Sequence, residues 1–126
     1  MILAKADEVV LVTDQSLAGA RDTMRLLAFA RHCSASSRIR IIGGGARQPP
    51  PDMLDINEFR RTVGAPLETS IPFDPRAAMD AGRLGRPLPK AAARSPASKA
   101  YRGLLTALEG AAEGKDRGRW ALPWRR

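Results

Sequence analysis

Metal-ligating and disulfide-forming side chains are nearly absent from this 126-residue chain, which holds one cysteine, Cys33, and one histidine, His32. A single cysteine excludes a disulfide framework, and one cysteine with one histidine cannot fill a four-ligand zinc site. The two side chains are neighbours in sequence, so on a helix they point apart and do not form a Cys–His nucleophile pair. We expect His32 to lie at a helix C-terminus, where a cation suits the helix dipole. The sequence therefore predicts no metal site and no catalytic residue.

Long apolar segments are also missing. No apolar run approaches the roughly 20 residues of a transmembrane helix, and the N-terminus lacks the apolar stretch of a signal peptide. Hydrophobic residues make up 44% of the chain and charged residues 27%, which is typical of a folded domain rather than of a disordered chain. We therefore expect a folded, cytoplasmic protein.

The excess of positive charge is confined to one part of the chain. The net charge is +8 and the isoelectric point is near 11.0, which makes nucleic acid or an anionic membrane the first partners to consider. Residues 1–75 hold nine basic and nine acidic side chains, whereas residues 76–126 hold twelve basic and four acidic ones. The question of an anionic partner therefore concerns residues 76–126.

Three short segments have the pattern of buried parallel strands. Residues 8–13 are almost continuously apolar and rich in β-branched side chains, and residues 39–42 and 67–71 form two further short strand segments. Such runs are typical of strands covered on both faces. Helical segments separate them, so the sequence predicts an α/β fold, a three-layer parallel sheet with flanking helices. Both outer strands would be unprotected edges, and we expect the chain to associate through them.

Local signals mark where the helices begin and end. A serine or aspartate precedes each predicted helix, and in two cases a proline follows it directly, which is a strong start signal. The predicted N-caps are Ser16, Asp55 (in a capping box with Glu58), Asp74 and Ser95. The helices are expected to end at residues 33–37, at Gly64, near Gly82 or Gly85, and at residues 109–110.

Four segments, taken in order, resemble MinD/ParA-type P-loop ATPases. They are residues 6–13 with 16–17 and 21–22, residues 52–59, residues 71–78 and residues 85–88. The sequence IPFDPRAA and the spacing F-R-R-x-x-G-x-P are most similar to the CpaE/TadZ pilus-assembly branch. The resemblance covers residues 4–110 and implies the C-terminal half of a P-loop NTPase-like domain. On this interpretation, residues 1–110 form a partial domain and residues 111–126 form a basic flexible tail.

The resemblance also implies a function. It implies a CpaE/TadZ-like protein of Flp/Tad pilus assembly or localisation, which acts through protein partners and forms a homodimer. Such a protein is cytoplasmic and can lie peripherally at the inner membrane or at a cell pole. No small-molecule substrate is predicted.

The phosphate-binding part of that family is missing from the sequence. There is no G-x-x-x-x-G-K-[ST] segment, and the glycines at 43–45 are not followed by the required lysine and hydroxyl residue. Phosphoryl transfer depends on positioning and charge stabilisation of the phosphates, so we expect no ATP hydrolysis by this chain alone. We expect ATP and Mg²⁺ to bind only if a missing N-terminal half is supplied.

The resemblance assigns a cofactor role to two residues. Pro72 and Asp74 match the turn that flanks the nucleotide base in the family, whereas the family's asparagine at the end of the preceding strand is replaced here by Gly43 or Gly44. Independently of the resemblance, Pro72 and Asp74 fit a strand-end turn and a helix N-cap.

A second pair of residues is the basis of a hypothesis about dimer formation. Arg21 and Asp22 match an Arg-Asp pair that faces the partner subunit in MinD-like dimers. The alternative is an ordinary solvated helix face, on which Asp22 pairs with Arg25 at i, i+3.

The basic C-terminal third leaves three interpretations open. In the first interpretation it is a solvated tail. In the second it binds nucleic acid non-specifically, with an affinity that depends steeply on salt concentration. In the third it contacts an anionic membrane weakly through Trp and Arg side chains. The residues assigned to an anion or membrane contact are Arg117, Arg119, Trp120, Trp124, Arg125 and Arg126.

Overall fold

A computed structural model describes residues 2–45, 47–49 and 51–112 of the chain. The strands are β1 (Glu8–Thr13), β2 (Arg38–Gly44) and β3 (Thr69–Ile71). The helices are α1 (Leu17–Cys33), α2 (Ile56–Val63), α3 (Pro75–Leu84), α4 (Leu88–Ala91) and α5 (Pro96–Ala112), and a short 3₁₀ helix covers Ile2–Lys5. No helix in these ranges is long and apolar enough to cross a membrane.

The three strands form one parallel sheet in the order β1-β2-β3. β1 pairs with β2 along its whole length, from Glu8 opposite Arg38 to Thr13 opposite Gly43. β2 pairs with β3 over three residues at its carboxyl end. The predicted α/β fold with a parallel sheet is thereby confirmed.

One face of the sheet is covered by α1 and α2. The buried core on this face consists of Ala20, Leu27, Ile41, Phe59 and Val63. Phe59 on α2 is completely buried. Burial of a large apolar side chain contributes about 1.5–3 kcal/mol to the free energy of folding. This face therefore carries the main buried cluster of the fold.

The opposite face carries α5, which packs against β3. Arg40 lies between Ile39 and Ile41 on β2, and neighbouring strand side chains point to opposite faces. Its guanidinium donates to the backbone oxygen of Ala107 in α5 at 3.0 Å, which places α5 on the face opposite α1 and α2. The three layers that the sequence predicts are therefore present.

The predicted helix starts are confirmed by side-chain caps. Ser16 Oγ accepts from the backbone N–H of Gly19 at 2.9 Å, and Asp74 Oδ1 accepts from that of Ala77 at 3.1 Å. Asp55 forms the full capping box with Glu58, and Ser95 Oγ accepts from the backbone N–H of Ser98 at 3.1 Å.

Several boundaries differ from the prediction: β2 covers Arg38–Gly44 rather than 39–42, and α5 ends at Ala112 rather than at residues 109–110. The third strand is shorter than residues 67–71, because Leu67 packs against the α1–α2 core and ladder pairing begins at Thr69. The four-residue helix α4 lies in the proline-bearing connector, where no helix is predicted from the sequence. α3 ends at Leu84, and Gly85 follows it in the left-handed conformation with φ 58°.

Candidate functional site

A cavity of about 360 Å³ opens at the carboxyl ends of the strands, on the face that carries α5. Its walls are mostly apolar, and its lining residues are Val12, Ile42, Gly43, Gly44, Gly45, Ile71, Pro72, Phe73, Asp74, Pro75, Ala78, Leu88, Ala97 and Tyr101. In open parallel α/β sheets, ligands bind outside the carboxyl ends of the strands. The position and the apolar lining therefore make this cavity the candidate ligand site, and it includes both residues that the sequence singles out, Pro72 and Asp74.

The two carboxylate oxygens of Asp74 lie in different environments. Oδ1 caps α3, as described above, whereas Oδ2 is buried and has no hydrogen-bond partner among the described residues. A buried carboxylate oxygen without a donor lowers stability, by about 1–3 kcal/mol. The N-cap interpretation of Asp74 is thus confirmed, whereas Oδ2 is enclosed by the protein and is not exposed to a ligand in this arrangement. The role of Asp74 and Pro72 toward a nucleotide base stays a prediction.

The three glycines at the end of β2 are not equivalent. A Cβ on Gly45 would lie 2.3 Å from the backbone nitrogen of Phe73, and one on Gly43 would lie 2.8 Å from Gln15 Oε1. A Cβ on Gly44 would meet nothing closer than Val12 Cγ1 at 3.7 Å. A Cβ therefore fits at position 44 without any shift, whereas at position 45 it collides with backbone atoms.

Gln15 is a feature of the site that sequence reasoning missed. It is only 6% exposed and has a φ of 63°, the left-handed region that non-glycine residues rarely adopt. Its backbone oxygen accepts from the backbone N–H of Leu54 at 3.0 Å, beside an antiparallel bridge between Ser16 and Met53. The long loop after β2 is thereby attached to the end of β1. No local sequence signal marks glutamine for this conformation.

A second cavity, of about 530 Å³, lies at the junction of β1 and α1. Val12 and Leu26 give it an apolar part, and Asp14 and Asp22 give it an acidic rim. Asp14 Oδ1 accepts from the backbone N–H of Ser16 at 3.0 Å and from its hydroxyl at 2.8 Å. These hydrogen bonds hold the pKa of Asp14 below its ordinary value.

The predicted dimer pair lies on the exposed side of α1. Asp22 pairs with Arg25 at 3.6 Å, as in the solvated-face alternative, and both side chains are largely exposed. Exposed pairs of this kind contribute at most about 1 kcal/mol. Arg21 is also exposed. The dimer role of Arg21 and Asp22 stays a prediction.

The described part of the basic region forms one cationic segment. Between Ala81 and Leu108 there are six basic residues and no acidic one, and all six are exposed. They are Arg83, Arg86, Lys90, Arg94, Lys99 and Arg102. None of the six belongs to the ion pairs found within the described ranges. The residues predicted for an anion or membrane contact, Arg117, Arg119, Trp120, Trp124, Arg125 and Arg126, lie outside the described residues.

Metal-binding side chains do not converge anywhere in residues 2–45, 47–49 and 51–112, where no group of three or more His, Cys, Asp or Glu could hold an ion. His32 and Cys33 occupy the last turn of α1. A helix C-terminus is where a cationic imidazole is stabilised.

Comparison with known proteins gives a similarity to a solved structure. No protein-family model matches the chain, and no curated protein matches it significantly. Among solved structures, the chain is similar to a ParA family ATPase from Chlorobium tepidum TLS, with 29% sequence identity and a TM-score of 0.66. The match covers 79% of this chain and 40% of that chain. The fold is therefore of the ParA-like P-loop NTPase type, and the chain spans about two fifths of the length of the protein it resembles.

Proposed function

We propose that this chain belongs to a ParA-like ATPase, contributes a base-binding cavity, and acts in Flp/Tad pilus assembly or localisation, in the manner of CpaE/TadZ proteins. One observation carries the proposal: most of the chain matches less than half of a ParA family ATPase, while the sequence contains no phosphate-binding loop. The chain has a cavity at the strand ends but lacks the motif that would hold phosphates there.

The cavity supports a binding role rather than a catalytic one. Its mostly apolar walls suit a flat ring. Phosphoryl transfer needs positioned cations and backbone N–H groups around the phosphates, and the sequence holds no phosphate-binding loop to supply them. We therefore expect no turnover of ATP by this chain alone, and ATP with Mg²⁺ only in the presence of a phosphate-loop half.

The assignment to pilus assembly is based on the amino-acid sequence of the segment around Pro72 and on the F-R-R-x-x-G-x-P spacing that begins at Phe59. Its test is genetic. Deletion of the gene in its own cells should abolish surface pili seen by electron microscopy, and the full chain supplied in trans should restore them. Normal piliation of the deletion strain contradicts the proposal.

An ATPase assay separately tests the expectation that this chain alone does not hydrolyse ATP. Purified full-length chain should release no phosphate from ATP above the level of a buffer blank. Turnover that disappears in Asp74→Ala, with the fold intact by circular dichroism, contradicts this part and places the reaction in the cavity.

A second candidate function is non-specific binding of nucleic acid, favoured by the cationic segment between Ala81 and Leu108. Six exposed cations would attract a phosphate backbone, and log affinity would fall linearly with log salt. Charge reversal of Arg83 and Arg86 should weaken binding of duplex DNA and flatten the salt slope, whereas reversal of Arg25 on α1 should not. Absence of DNA retention at low salt contradicts this candidate.

A further inference from the structure

A third cavity, of about 530 Å³, lies at the amino ends of β2 and β3, on the face that carries α1 and α2. Ser34 and Ala35, which follow α1, line one side of it, and Ala65 and Pro66, which follow α2, line the other. Its floor is made of apolar side chains from α1 and β2, namely Leu27, Ile39 and Ile41. We call this space the amino-end cavity. It lies at the opposite end of the strands from the candidate ligand site and is separate from that site.

The hydroxyl groups that line the amino-end cavity are acceptors without a proton left to donate. Ser37 Oγ donates to the backbone oxygen of Ala6, so in its 2.6 Å contact with Ser34 the Ser34 hydroxyl is the donor. Ser34 is only 8% exposed, and its oxygen accepts no hydrogen bond from the described residues. Arg31, also among the lining residues, is exposed and belongs to none of the ion pairs found within the described ranges. The cavity therefore combines an apolar floor, a buried acceptor and a cation.

Tryptophan is the side chain whose chemistry matches this combination. Indole is a large apolar ring with a single N–H, which donates a hydrogen bond and accepts none. The apolar floor suits the ring, Ser34 Oγ suits the N–H, and the guanidinium of Arg31 suits the ring face. The chain has two tryptophans, Trp120 and Trp124, and both lie outside the described residues.

α5 brings the chain to the end of the sheet where the amino-end cavity opens. Ala97, near its start, lines the candidate ligand site, whereas the backbone oxygen of Ala107 accepts from Arg40 near the amino end of β2. The helix therefore runs toward the amino ends of the strands, and Ala112 lies about 7 Å beyond Ala107. Trp120 follows Ala112 by eight residues, which reach about 26 Å when extended. Packed layers are about 10 Å apart, so a path of about 20 Å from the α5 layer around the strand ends to the α1 layer is within reach.

We propose that residues 120–124, W-A-L-P-W, dock in the amino-end cavity with a tryptophan ring on its apolar floor. The proposal does not depend on the proposed function, because the cavity lies away from the candidate ligand site. The contact is apolar rather than electrostatic: residues 113–126 hold five basic and two acidic side chains, and Arg31 has the same sign as their excess. High salt should therefore leave the contact intact. While docked, the tryptophans are withheld from an anionic membrane.

Tryptophan fluorescence of the purified full chain reports on this segment alone, because it holds both tryptophans. We expect emission at shorter wavelength than that of the free peptide 113–126, and weaker quenching by acrylamide, at low and at high salt. Ala35→Arg, which adds bulk and a like charge at the cavity wall, should return the emission to that of the peptide. Ala28→Arg, at an exposed position of α1 outside the cavity, should leave it unchanged. Emission equal to that of the peptide, a shift lost at high salt, or equal effects of the two variants with unchanged circular dichroism overturns the proposal.

Photo-crosslinking locates the contact and separates it from association of two copies. A benzophenone amino acid replaces Arg31 in the full chain, and the matched control replaces Arg21, an exposed arginine nearer the start of the same helix. We expect the Arg31 position to form an adduct within one chain that mass spectrometry maps to residues 113–126, and the Arg21 position to form none with that segment. An adduct between two chains, an adduct that maps elsewhere, or no adduct at position 31 overturns the proposal.

Discussion

Arg40 on β2 and Glu8 on β1 form a buried ion pair, with Arg40 Nε donating to Glu8 Oε2 at 2.6 Å. The Arg40 side chain is only 9% exposed, and its Nη1 donates to Glu68 Oε2, also at 2.6 Å. With the bond to Ala107, the guanidinium joins β1, the segment before β3 and α5. The hydrogen bonds to Glu8 and Glu68 raise the pKa of Arg40, so it stays charged.

Arg40→Ala should destabilise the protein strongly. Removal of Arg40 leaves Glu8 with only the exposed Arg38 as a partner and removes the ion pair of Glu68, and loss of one partner of a buried pair costs about 3–5 kcal/mol. We expect the free energy of unfolding in urea to fall by about that amount, and Arg40→Met to cost less because it keeps the apolar stem of the side chain.

Arg38→Ala is the matched control for this network. Arg38 reaches the same Glu8 at 3.8 Å, but its side chain is 59% exposed, so its loss should cost less than about 1 kcal/mol. Similar losses for Arg38→Ala and Arg40→Ala would show that the buried position of Arg40 has no special importance.

This network also shows which contacts can be predicted from the sequence and which cannot. The caps at Ser16, Asp55 and Asp74 are predictable because each bond spans two or three residues. Arg40 lies 32 residues from Glu8 and 28 from Glu68, so the pairing depends on strand order and register, which no local pattern contains. The same holds for Gln15, whose left-handed backbone is stabilised by a contact to the distant Leu54.

In the candidate site, too, local features can be predicted from the sequence and long-range ones cannot. The turn residues Pro72 and Asp74 are identified from the sequence because their motif is contiguous. The space around Gly43, Gly44 and Gly45 depends on how closely three separate segments approach one another, and it becomes known only from the folded arrangement.

Gly45→Ala should be much more harmful than Gly44→Ala. The added Cβ at position 45 would collide with backbone atoms of the β3–α3 turn, which cannot move as a side chain can, whereas the Cβ at position 44 has ordinary contacts. Forcing atoms into a packed region typically costs about 1–3 kcal/mol. Thermal unfolding of the two variants beside the wild type checks this. Equal melting temperatures would contradict the close approach at Gly45.

Asp14→Asn should remove a pH-dependent part of the stability. Hydrogen bonds from Ser16 lower the pKa of Asp14 in the folded state below its ordinary value of 3.8. A lowered pKa contributes stability that is fully present above pH 3.8 and is lost as the pH falls through the folded-state value. The wild type should therefore exceed Asp14→Asn in unfolding free energy at neutral pH, and the difference should shrink in acid. A difference that stays constant down the acid range would contradict the assignment.

Asp74→Ser should stabilise the protein relative to Asp74→Ala, and the comparison separates the two oxygens of Asp74. Serine keeps an acceptor for the backbone N–H of Ala77, whereas alanine loses the cap at a cost of about 1 kcal/mol. Serine also removes Oδ2, which is buried without a partner among the described residues, so Asp74→Ser should be at least as stable as the wild type. Urea unfolding of the three proteins measures both differences. If Asp74→Ser falls to the level of Asp74→Ala, the prediction is contradicted, because either the serine does not replace the cap or Oδ2 contributes to folding.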